Sequence, residues 1–161
     1  MLGAALLAAG GLAGCGGDQD AGRARPASVP PALVQSGVDP AAVRVVRTWA
    51  DTLRRGDVAT AARSFAVPSL VANGGPPERL TTSAAILAFN QSLPCGARLV
   101  RADRAPRGFV IATFLLTERP GPGACGSGTG ATARTAFRVR DGRITDWLRV
   151  QDLPRAETSP V

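Results

Sequence analysis

AFRVRDGRITDWLRV, residues 136–150, is the stretch whose reading decides the fold. Two runs of alternating character flank Asp141-Gly142. Asp-Gly between such runs is a strong hairpin signal, because a tight two-residue turn needs positive φ at both positions. Strict alternation along the second strand puts Ile144, Asp146, Leu148 and Val150 on one face and Arg143, Thr145, Trp147 and Arg149 on the other. On the first strand Arg134, Arg138 and Arg140 alternate opposite Phe137 and Val139, which predicts a basic outer ridge.

Working outward, "ARLVRADR" and "FVIATFLLTE" read as a second strand pair joined by the turn "APRG". Upstream the period changes. Asp39-Pro40 is a helix cap followed by proline at the first helical position. Val43, Val46, Trp49, Ala50 and Leu53 then recur at three- and four-residue steps, which predicts an amphipathic helix ended by Gly56. Asp57 caps a shorter helix with Val58, Ala61, Ala62 and Phe65 on its buried side. "VPSLVANGGPPERL" reads as two extended pieces around a turn, and "TTSAAILAFNQSLP" as a third helix ending before Pro94. Helices first and antiparallel strands later give an α+β domain, with helices on one face of a curved sheet.

The opening "RRGDVATAARSF" (residues 54–65) and the closing hairpin of residues 136–150 resemble the nuclear-transport-factor-2-like superfamily, which includes the SnoaL-like proteins and ketosteroid isomerases. The first looks like that group's helix–Gly-Asp–helix opening, the second like its final strand pair. The resemblance spans roughly residues 39–152. It implies a cone-shaped curved antiparallel sheet wrapped around N-terminal helices, with an apolar pocket at the open end. It also implies a homodimer through the outer sheet face as one mode of assembly. Members isomerise, cyclise, dehydrate, or bind without chemistry.

Within that frame the ligand pocket is expected at Trp49, Phe65, Phe89, Asn90 and Leu148, and a catalytic base at Asp146. If the apolar face of the last strand points inward, Asp146 is a carboxylate among hydrophobes, an environment that suits a general base. A β-bulge or sheet edge would instead turn it outward, and an arginine across the strand would pair with it. Trp49 also fits a core position, and Asn90 also fits a partner for a loop carbonyl. Trp147, opposite the apolar set, is expected at the surface. Asp103 is expected in an ion pair, with Arg101 or across the strand, and Glu118 to be solvated beside the glycine-rich loop.

Absences exclude more chemistry than presences suggest. The chain of 161 residues has no His, Tyr or Lys, so its 19 basic residues are all Arg. Histidine-based nucleophile systems and imidazole metal ligands are excluded, as are lysine Schiff bases. No metal and no cofactor are expected. The net charge is +7, but aromatic residues are only 4% and the arginines are dispersed, so no nucleic-acid partner is expected.

Residues 1–14 form an uncharged Leu/Ala/Gly run, and Leu12-Ala13-Gly14-Cys15 resembles the bacterial lipobox. That resemblance implies a cleaved leader, a lipid-modified Cys15 and a domain held at the extracytoplasmic face of a cell membrane. Residues 15–38, rich in Pro, Gly and Ala, read as a tether, residues 39–152 as the folded domain, and residues 153–161 as a disordered tail. With Cys15 acylated, Cys95 and Cys125 have one pairing left, a disulfide; in a reducing compartment they would be two free thiols. The functional expectation is a non-catalytic binder of a small apolar ligand or of an envelope partner. The alternatives are an isomerase, dehydratase or cyclase with Asp146 as base, and a scaffold acting through its outer sheet.

Overall fold

The computed structural model describes residues 31–151. Strand β1 (Leu33–Val34) precedes helices α1 (Pro40–Arg54) and α2 (Val58–Ala62). Strands β2 (Phe65–Ala72) and β3 (Glu78–Leu80) lead to helix α3 (Ser83–Ser92). Strands β4 (Gly96–Ala105), β5 (Phe109–Thr117), β6 (Thr132–Arg140) and β7 (Arg143–Val150) complete one sheet, in the order β1-β4-β5-β6-β7-β2-β3. Among the described residues no helix is long and apolar enough to cross a membrane.

The local signals act as the sequence leads one to expect. Asp39 accepts from the Ala41 amide at 2.8 Å and starts α1. Its periodic apolar set, Val43, Val46, Trp49, Ala50 and Leu53, is buried. Gly56 takes φ +86° behind α1, and a Cβ there would lie 3.0 Å from Pro120. Thr82 caps α3 through the Ala85 amide at 3.1 Å. Asp141 and Gly142 turn β6 into β7 with φ of +50° and +71°.

One expectation changes. The sheet is mixed rather than wholly antiparallel: β2 runs parallel to β7, and β1 parallel to β4. Within the segment expected as tether, Leu33 and Val34 pair with Arg101 and Ala102, and Val38 is buried. A two-residue parallel pair carries no hydrophobic period, so nothing in the sequence marks it.

The core is centred on Trp49. Its ring stands edge-on to Phe65, Phe114 and Trp147 at centroid distances of 6.1, 6.2 and 6.4 Å, and tilted against Phe137 at 5.5 Å. Edge-to-face pairs in this range add roughly 0.5–1.5 kcal/mol each beyond burial. Helix α1 is thereby fixed against the concave face of β5, β6 and β7.

Candidate functional site

One extra residue on β7 decides the site. Across the β6–β7 hairpin Val139 lies opposite Ile144 and Arg138 opposite Asp146, leaving Thr145 as a bulge. Side chains alternate with a period of two, so one inserted residue exchanges the faces beyond it. Ile144 and Trp147 point into the core, with 0% and 5% exposure. Asp146 and Leu148 therefore lie on the outer face, beside Arg138 and Ala136 of β6.

Asp146 accepts from the Thr145 hydroxyl at 2.7 Å, and its carboxylate lies 3.8 Å from Arg138 Nη1. Arg138 in turn sits 4.1 Å over the Phe109 ring. The candidate base is thus the outward, arginine-paired carboxylate that a bulge produces, and the inward placement is corrected. Leu148 is corrected with it: it does not line the interior. Trp147, expected at the surface, is a core residue.

The concave face instead holds a partly open cavity of ≈ 200 Å³. Trp49 and Leu53 of α1, Ala97 of β4, Phe114, Thr135 and Trp147 line it, together with Asn73, Pro94, Cys95 and Leu116. None of its lining side chains is ionisable apart from Cys95, whose sulfur is in a disulfide.

Asn90 is fully buried and is not among the residues lining this cavity. Its Oδ1 accepts from Trp49 Nε1 at 2.9 Å, and its Nδ2 donates to the Ile86 carbonyl at 2.9 Å. It orients the Trp49 wall rather than a ligand. Phe89 packs edge-on to Trp147 at 5.1 Å and to Phe65 at 6.0 Å, and it does not line the cavity either. Of the five expected pocket residues, Trp49 alone lines the cavity. Thr135 and Trp147 were missed. The alternation of Ala133, Thr135 and Phe137 could have found the first, whereas only the bulge reveals the second.

The glycine-rich loop is joined to the cavity lining through Cys95. Cys95 and Cys125 form a disulfide with Cα atoms 4.5 Å apart. Glu118 accepts from the Cys125 amide at 3.0 Å, the Gly126 amide at 3.1 Å and the Thr129 hydroxyl at 2.7 Å. These bonds, that from Thr129 first, hold its carboxyl below the usual range. Glu118 is exposed, as expected, and also anchors the loop. Arg119, only 6% exposed, donates to the carbonyls of Leu93 at 2.8 Å and Gln91 at 3.0 Å and so satisfies the end of α3. Arg101 and Asp103 pair at 2.7 Å as expected. Among the described residues no group of three or more His, Cys, Asp or Glu side chains is placed to hold a metal ion. Cys15 lies outside the described residues, as does the expected tail from residue 153.

No family model matches the chain, and no curated protein matches it as a relative. Solved structures do. A protein from Sinorhizobium meliloti named as a candidate polyketide cyclase shares 19% identity at a TM-score of 0.52, over 66% of this chain and 94% of its own. A nuclear-transport-factor-2-like protein of unknown function from Cytophaga hutchinsonii shares 10% identity at 0.51, over 67% and 87%. A de novo designed protein with a curved β-sheet shares 14% identity at 0.53, over 70% and 85%. The chain carries the nuclear-transport-factor-2-like fold.

Proposed function

We propose that this nuclear-transport-factor-2-like domain binds a small neutral apolar molecule in its cone cavity without chemistry. One observation carries the reading: the cavity has no titratable side chain on its wall, and Asp146 faces the opposite side of the sheet. General acid–base catalysis needs a group within hydrogen-bond reach of the reacting proton, and among the described residues none lines the cavity. The size fits a ligand of about one ring, since apolar cavities of roughly 150 Å³ hold benzene. The cyclase-type alternative requires Asp146 inside the cone, on the face it does not occupy. The test is a p-xylene titration followed by tryptophan fluorescence, as Trp49 and Trp147 both line the cavity. A saturable change is expected, weakened roughly tenfold or more by Ala97→Leu, which fills the space. No saturable response to any of a panel of neutral ring compounds overturns the proposal.

We further propose that the domain is lipid-anchored through Cys15 at the extracytoplasmic face of a cell membrane. The lipobox-like run before Cys15, the Pro/Gly-rich segment after it and the Cys95–Cys125 disulfide support this, because disulfides persist outside reducing compartments. Intact mass of membrane-extracted protein, with and without reduction, is expected to report cleavage before Cys15, an acyl increment and one bridge. An unmodified, reduced full chain overturns it.

A specific observation also favours docking through the outer sheet. Ile111, Ala136, Leu148 and Ala72 lie directly opposite one another in register, forming an apolar row across β5, β6, β7 and β2. A second copy of the chain is the partner this row suits.

A further inference from the structure

A second cleft, distinct from the cone cavity, lies where α2, α3 and the start of β2 meet. Its volume is ≈ 310 Å³. The floor is apolar: Phe65 and Ile86 are each 2% exposed, and Leu87 and Val67 form the sides. Val67 is 52% exposed, a large aliphatic side chain left at the rim. Arg63 and Arg143 both line the cleft, and no acidic side chain does.

Both guanidiniums are positioned without being neutralised. Arg143 Nη1 donates to the Arg63 carbonyl at 2.6 Å, across the end of α2. Arg63 Nη2 donates to the Thr60 hydroxyl at 2.6 Å. These acceptors are neutral, and a guanidinium has five N–H donors, so each arginine keeps donors for an anion. Among the described residues neither is within ion-pair distance of a carboxylate, although Arg54, Arg101 and Arg138 are. Asp57, whose carboxyl is held below the usual range by Thr60 first and by Arg63 to a lesser degree, caps α2 through the Thr60 amide at 3.0 Å. Asp141 lines the adjoining groove with Arg44 and the same two arginines, and it leaves that region with a positive excess.

We propose that this cleft binds an organic carboxylate carrying a short aliphatic tail. The carboxylate engages Arg63 and Arg143 by charge-assisted hydrogen bonds, and the tail covers Phe65, Ile86, Leu87 and Val67. Neither half suffices alone. A bare anion leaves the apolar floor wet, and a neutral tail leaves the guanidiniums without a counter-charge.

The probe is octanoate, with octanol as the neutral tail and acetate as the bare head, measured by calorimetry on the intact domain. Octanoate is expected to bind saturably, at least roughly tenfold tighter than octanol, with no measurable heat from acetate. The double variant R63Q/R143Q is expected to lose roughly tenfold or more of octanoate affinity while p-xylene binding in the cone is unchanged. Should the loss of the Arg143–Arg63 bond unfold that variant, Arg63→Gln alone serves, and methyl shifts of Val67 and Leu87 on octanoate addition report the location. No octanoate binding, equal binding of octanol, unchanged affinity in the variants, or shifts confined to Ala97 and Thr135 overturns the proposal.

Discussion

At the scale of single residues, Asn90 shows how a polar side chain in an apolar core is put to use. Its amide bonds both the Trp49 indole and the Ile86 carbonyl, joining α3 to α1 at the point where Trp49 meets four other aromatic rings. Asn90→Ala leaves a buried indole N–H without an acceptor and opens a small void. Destabilisation of about 2–4 kcal/mol is expected, read by urea unfolding together with a shift in tryptophan emission. Asn90 was visible in the sequence as a polar residue on an apolar helix, but its partner was not. The two positions are 41 residues apart, and no local pattern connects them. Asp146 teaches the converse. It was expected as an inward base, with pairing to an arginine across the strand as the alternative, and its side of the sheet depended on Thr145.

At the scale of elements, the segment from Thr117 to Ala131 holds its course through three ties: Glu118, Arg119 and the disulfide. A bridge over about 30 residues contributes roughly 3–4 kcal/mol from loop-closure entropy alone. The contribution of Glu118 depends on pH. Its carboxyl is held down in the folded state, so its stabilisation is complete above the unfolded glutamate range of roughly pH 4–5. That stabilisation is lost as pH falls through the lower folded value. The melting temperature of wild type is therefore expected to exceed that of Glu118→Gln at neutral pH, and the gap to close on acidification below that range. A gap independent of pH would contradict this. Glycine-rich composition marked the loop, and compartment reasoning paired its cysteine. The buried Arg119 and the anchoring Glu118 were not legible, because both act on backbone groups whose positions exist only once α3 and β5 are packed.

At the scale of the molecule, a curved sheet closed on one side by helices leaves its outer face to solvent or to a partner. The apolar row through Leu148 predicts association of two copies there. Sedimentation is expected to show a concentration-dependent dimer that Leu148→Arg abolishes without loss of the fold; a wild type that stays monomeric at high concentration contradicts it. The sequence by itself determined the caps of α1, α2 and α3, the Asp141-Gly142 hairpin and the helices-then-strands order, because each is set by residues within a few positions of one another. It determined the partner of Cys95 only on the premise of export. Tertiary structure alone decided which face of β7 lines the interior. A single bulged residue exchanges the two faces of a strand, and its presence is settled by how β7 must fit β6 and β2 together, not by any preference of the strand itself.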